Sequence, residues 1–258
     1  TGAVASKILE LVLRKGSGMA DAKTSNHIVI CGWSSKGDEI IRELHAEEVK
    51  DKRPVVILAQ LESSPTRDEF TTFVRGNPNT GEDLMRAGID RADTAIVLAD
   101  QSNPVVSSED QDARTLLTTL AIESINPNCY TCVEVVKGEN RQHFDRTKAD
   151  ELVVSAELTG ALLASSAVTH GLSRVVGDLI THPVGNEFYY IPAPENVVGK
   201  TFVEALGELK TSQNCILMAI ATGTTQYDIN PPADRLIGYE DRLLVIAGSE
   251  VIRNSRGG

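Results

Sequence analysis

The six residues Gly32-Trp33-Ser34-Ser35-Lys36-Gly37 follow an apolar run, His27–Cys31. They stand where a dinucleotide-binding chain carries G-x-G-x-x-G. In that fingerprint the middle glycine lets a pyrophosphate approach the backbone at a helix N-terminus. Here the middle position is Ser34, while Gly32 remains for the turn and Gly37 for helix–strand packing. The turn is kept and the phosphate cradle is compromised. A second test is the residue that closes the next strand, where an acid would hold the ribose hydroxyls. That residue is Gln60, with Glu62 two places late. An amide can still bond a hydroxyl, so an AMP-like site stays open.

Other reactive residues carry less. Cys129 and Cys132 form a CxxC at the start of an apolar run, Tyr130–Val136. Three residues along a strand put the two sulfurs on opposite faces, which is unsuited to a shared metal or a redox pair. With Cys31 and Cys215 they read as reduced thiols. The five histidines, His27, His45, His143, His170 and His182, form no nucleophile constellation, and there is no Ser-x-x-x-Tyr-x-x-x-Lys pattern. The expectation is a chain that is not an enzyme.

The elements that must position these residues alternate. Strands are predicted at His27–Cys31, Pro54–Ala59, Thr72–Arg75, Thr94–Leu98, Tyr130–Val136 and Leu152–Ser155. Helices are predicted between them at Asp38–Val49, Asp83–Ala87, Asp110–Ile125 and Asn140–Thr147. Short apolar strands alternating with helices mean a parallel sheet covered on both faces, a doubly wound, Rossmann-like α/β fold. The pattern then changes. Glu157–Ala167 and Gly171–Ile180 are successive helical stretches, and a turn cluster follows at His182-Pro183-Val184-Gly185. Beyond it, Glu187–Ile191, Cys215–Ala221, Tyr227–Ile229 and Leu243–Ala247 read as strands, with one helix around Phe202–Leu209. These define a small α+β unit. The expected organisation is a leading helix and linker over 1–25, a Rossmann-like domain over 26–155, crossover helices for subunit contact over 156–183, and the small domain over 184–258. Thr1–Lys15 is amphipathic, and Gly16–Asn26 reads as a polar linker.

Bulk properties exclude some functions. The 258 residues carry a formal net charge of −11, which repels phosphate backbones and argues against nucleic-acid partners. Aromatic residues make up 4%, too few for a base-stacking platform. No stretch of 18 apolar residues occurs, so no membrane span is predicted.

The run His27-Ile28-Val29-Ile30-Cys31-Gly32-Trp33-Ser34 resembles the opening of the RCK domain, the regulator of potassium conductance. It is most similar to that of calcium-gated prokaryotic potassium channels, which also place Ser at the middle glycine. Val74-Arg75-Gly76-Asn77-Pro78 and Ala92-Asp93-Thr94-Ala95-Ile96-Val97 resemble the middle of the domain, although the family usually has Asp where this chain has Asn77. Lys148–Val154 resembles its last strand. Ile191-Pro192, Gly199-Lys200-Thr201, Ile229-Asn230-Pro231-Pro232 and Gly238–Gly248 follow the C-terminal subdomain. The likeness covers about Asn26 to Glu250. Thr1–Lys7 is similar to the cytoplasmic end of a pore-lining helix.

The resemblance implies a ligand-sensing gating ring at the cytoplasmic face of the cell membrane, built of self-associated subunits as a tetramer or an octameric ring. A pore domain would lie N-terminal to this chain, with Arg14–Asn26 as the linker. It implies Ca2+ as the favoured ligand. The family's acid at the Asp150 position nominates Asp150, with Glu151, Glu134, Glu157 and Asp178 as further donors. NAD or an adenine nucleotide is the alternative ligand, at Gly32, Ser34, Gly37, Gln60 and Asp100. In that alternative the chain is a nucleotide-sensing regulatory subunit of a potassium transporter.

Overall fold

The computed structural model of the chain describes residues 17–46, 49, 52–100, 107–181, 185–223 and 226–248. The amphipathic Thr1–Lys15 segment and the turn residues 182–184 lie outside them. The chain divides into two compact units at Ser165/Ser166.

The first unit is the doubly wound sheet that the sequence predicts. Its strands are β1 (Ile28–Cys31), β2 (Val55–Ala59), β3 (Thr71–Arg75), β4 (Thr94–Val97), β5 (Tyr130–Val135) and β6 (Glu151–Val154). They pair in parallel in the order β3-β2-β1-β4-β5-β6. Its helices are α1 (Lys36–Leu44), α2 (Gly81–Arg86), α3 (Ser108–Ile125) and α4 (Arg141–Phe144). Alternation along each strand feeds two cores. Val29, Cys31, Val56, Leu58, Val97 and Val133 pack on one face with Leu84, Ile122 and Phe144 from the helices. Ile28, Ile30, Val55 and Ile57 pack on the other with Ile41, Ile40 and Leu44 of α1.

Two helices end three or more residues earlier than expected. The first helix stops at Leu44, not Val49, because the buried ring of the next residue, His45, is held from outside. Its Nδ1 lies 2.7 Å from Asp68 and its Nε2 2.8 Å from the Arg53 carbonyl. The predicted Asn140–Thr147 helix is one 3-10 turn, Gly138–Asn140, followed by α4 alone. The stretch read as a polar linker is also tied down where it is described. Arg75 N donates to Gly18 O and Ala22 N to Arg86 O, each at 2.8 Å, and Arg91 Nε donates to Thr24 O at 2.9 Å. Polar composition signals a solvated strap here, with Gly18 and Ala22 buried beneath it.

After β6 the chain enters α5 (Ser155–Val168), within which the division between units falls. The second unit contains α6 (Leu172–Ile180), β7 (Asn186–Pro192), α7 (Phe202–Gln213), β8 (Ile216–Thr222), β9 (Gln226–Ile229) and β10 (Arg242–Gly248). Its sheet is antiparallel, in the order β7-β10-β8-β9. A capping box starts α7: Thr201 Oγ1 accepts from Glu204 N, and the Glu204 carboxylate accepts from Thr201 N. Asn214 in the left-handed region ends it. Phe202, Ala205 and Leu209 of α7 close the core over Leu217, Ile220, Leu243 and Val245.

Candidate functional site

The order of the first sheet reverses direction between β1 and β4, and ligands of such folds bind outside the strand ends at that point. Gly32, Gln60 and Asp100 line one cleft there, with Asn77, Asn79, Arg114 and Thr118. Three of the five nucleotide candidates therefore meet. The other two lie in the loop and turn its donors inward. Ser34 is buried, and its Oγ accepts the Lys36 N–H at 3.3 Å while its carbonyl accepts Gly37 N at 2.9 Å. Those are the amides that an anion would otherwise meet at the start of α1. The Trp33 ring fills the space above Gly37, where a Cβ would meet it at 2.5 Å. The cleft holds about 20 Å3, room for a water molecule and far less than a nucleotide needs.

Gly32 shapes this end of β1. Its φ is +82°, and an added Cβ would lie 2.9 Å from the Leu98 carbonyl. Gly32→Ala should destabilise the first unit by about 1–3 kcal/mol through the left-handed backbone and this contact. Chemical denaturation of the two chains side by side measures that loss.

Charge around the cleft is fixed by a long-range pair. Glu134 of β5 is 6% exposed and accepts both from Lys36 Nζ, on the first turn of α1, and from Ala99 N at 3.2 Å. Glu134 thereby clamps the loop to the ends of β4 and β5. Arg114 on α3 lines the cleft and makes no ion pair among the described residues. Sequence reasoning missed Arg114, Asn79 and Thr118. The spacing of Gln111, Thr115 and Thr118 along α3, which puts that helix's inward face at the strand ends, was the available signal.

The five carboxylates expected to bind a cation do not converge. Among the described residues no group of three His, Cys, Asp or Glu is arranged to hold a metal ion. Asp150 lies at the entry to β6, and its Oδ2 accepts from Thr131 N at 2.7 Å. Glu151 accepts from the Tyr130 hydroxyl at 3.1 Å. Partial burial, and then the Glu151 charge, push that phenol up to about 12. Glu134 lies diagonally across from Glu151 in the parallel register and is committed to Lys36. Glu157 folds against the Gly138 backbone, and Asp178 is exposed on α6 in the second unit. Asp150 and Glu151 alone remain adjacent. The cysteines are all free. Cys129 belongs to the core beneath α3, and burial pushes its thiol up to about 11, while Cys132 stands on the opposite face.

That opposite face is open at its edge. Thr94, Ile96, Tyr130, Cys132, Glu134, Glu151 and Val153 share it by register; Glu134 is buried and Ile96 packs against the α1 core, while the edge residues Tyr130, Glu151 and Val153 are exposed. The following helix, α5, has one charged residue, Glu157, and no buried residue; Leu158 and Leu163 are 65% and 67% exposed. A helix with a single charged residue and leucines, alanines and small polar residues spread around it ordinarily has part of its surface covered. In the second unit α6 likewise buries nothing and exposes Val175 and Ile180.

The fold is a Rossmann-like sheet whose loop after β1 is closed on itself, followed by a small antiparallel unit. Residues 23–133 match the family described as the calcium-activated potassium channel slowpoke-like RCK domain. The match lies within the first unit, which is similar to an RCK domain. The chain is 25% identical over 233 residues to the calcium-gated potassium channel TvoK of Thermoplasma volcanium, covering 89% of this chain and 64% of TvoK. It is 24% identical over 262 residues to the probable ion channel POLLUX of Arabidopsis thaliana, covering 95% of this chain and 31% of that one. The chain thus spans less than two thirds of these relatives. In fold it is similar to the human SLO3 gating ring, with a TM-score of 0.67 and 17% identity over 88% of this chain and 45% of that one. Among the described residues no helix is long and apolar enough to cross a membrane.

Proposed function

We propose that the chain is the ligand-sensing part of a potassium channel's gating ring at the cytoplasmic face of the membrane, regulatory and not catalytic. One observation carries this reading: the exposed β5–β6 edge of the sheet and the exposed leucines of α5 leave a surface that one chain alone does not bury. Further copies of the chain, as a tetramer or an octameric ring, would cover it. Residues 17–26, strapped to the first unit, would deliver ring movement to a pore-lining helix preceding them. A ligand that binds one ring geometry more tightly shifts the ring toward it by that difference in affinity.

Calcium is the ligand we favour, on the likeness to the calcium-gated TvoK and the exposed Asp150–Glu151 pair. Calcium takes six or more oxygens, so the remaining donors would come from a neighbouring copy. Asp150→Asn keeps an acceptor for Thr131 N, and Glu151→Gln keeps one for Tyr130, so both variants should fold. Each is expected to weaken calcium binding by about tenfold or more, measured by calorimetry on the assembled chain. Unchanged affinity in both variants overturns this assignment.

Arg114, which makes no ion pair among the described residues, favours a second reading, in which NAD, ADP or ATP is sensed beside Gly32, Gln60 and Asp100. The cleft would have to open by movement of the Ser34 loop. Nucleotide heats in the same calorimeter, without a calcium signal, would select it.

A further inference from the structure

The second unit has a polar cavity of about 520 Å3 on the edge hairpin β8–β9, lined by Ile220, Thr222, Gln226, Tyr227, Asp228 and Arg235. Antiparallel register sets Ile220 opposite Asp228 and Thr222 opposite Gln226. These four side chains therefore share one face of the hairpin. It is the face that sends Ile220, 2% exposed, into the core beneath α7. All four residues of β9 are exposed, so the inward-facing surface continues past the core and forms an uncovered shelf with an apolar floor.

Arg235 reaches this shelf from the turn before β10, and it is held there. Its Nη2 donates to Asp241 Oδ2 at 3.3 Å and its Nη1 to the Leu236 carbonyl. Asp241 is 5% exposed and is fixed in turn by the Thr222 hydroxyl at 3.0 Å and by Gly238 N at 2.7 Å. Two of the guanidinium's five N–H groups are thus engaged, and the rest of the fork is presented in a set orientation. Asp228 and the Gln226 amide make no hydrogen bond or ion pair among the described residues, and Asp228 does not pair with Arg235.

Arg235, whose charge Asp241 meets on one side of the guanidinium, and the unspent Asp228 therefore line one cavity without pairing with each other. A simple anion on Arg235 would meet Asp228, and a simple cation on Asp228 would meet Arg235. A molecule carrying both charges satisfies both groups and leaves its apolar part over Ile220. We propose that this cavity binds a small zwitterion of the amino-acid class, carboxylate on Arg235 and ammonium on Asp228, with Gln226 as a further hydrogen-bonding group. The proposal rests on the second unit alone and stands independently of the calcium reading.

The test is a thermal-shift screen of the full chain against the protein α-amino acids, followed by calorimetry on those that stabilise it. Acetate and methylammonium serve as single-charge probes. At least one amino acid should bind in the millimolar range or tighter, and neither single-charge probe should match it. Asp228→Asn alters an exposed group with no partner among the described residues, and Arg235→Lys keeps a cation beside Asp241, so both variants should fold. Each should weaken amino-acid binding by about tenfold or more. No binding by any amino acid, equal binding of acetate or methylammonium, or affinity unchanged in both variants overturns the proposal.

Discussion

The double variant L158E/L163E should sediment as a smaller species at concentrations where the unaltered chain is assembled. Both leucines stand on α5, about two thirds exposed in the single chain. Burying a leucine contributes about 1.5–3 kcal/mol, so two lost contacts weaken association by about 3–6 kcal/mol per interface. That is a factor of about 10²–10⁴ in the dissociation constant. Introducing two carboxylates into an apolar contact adds a desolvation cost in the same direction. The stability of the separate chain should change by no more than about 0.5 kcal/mol, because neither side chain is part of its core. Analytical ultracentrifugation and urea unfolding, run together, separate the two effects. Retention of the parent's assembly by the variant would remove the surface on which the gating-ring reading stands.

Asp112→Ala should have the largest effect on folding. Asp112 is 2% exposed on α3, and its carboxylate accepts from Val136 N at 2.7 Å, Lys137 N at 3.1 Å and Asn140 Nδ2 at 2.7 Å. These bonds tie α3 to the turn that leaves β5. Removing the acceptor strands three donors, and the expected loss is about 3–5 kcal/mol, read as a lower urea midpoint. Domains of this size have about 5–15 kcal/mol in hand, so the variant should fold but with a much reduced margin. The same turn carries Gly138, against which Glu157 rests, so α5 should also lose protection at its start in hydrogen exchange. Asp112→Asn should fall between the two, because it keeps one acceptor oxygen but turns an amide N–H toward the donors.

The sequence by itself determined the fold class and the position of almost every strand. Runs such as Val55–Ala59, buried at all five positions, have no other economical use than the interior of a parallel sheet. It also determined that the loop after β1 departs from a phosphate cradle, because a serine at residue 34 is visible without coordinates. Local rules had less grip on boundaries set from elsewhere. The first helix ends where Asp68 and Arg53 seize His45, and neither is its neighbour in sequence. Strand adjacency nominated Glu134 and Glu151 as partners, but adjacency is not convergence. Lys36, 98 positions from Glu134, takes one carboxylate, and Tyr130 takes the other. Only tertiary structure decided how Ser34 uses its hydroxyl, that the β5–β6 edge lies exposed, and that Arg235 and Asp228 share a cavity. Each depends on strand register or on a side chain arriving from a distant element. The hydrophobic pattern of one segment fixes which way that segment faces; what it meets there is settled by the rest of the chain.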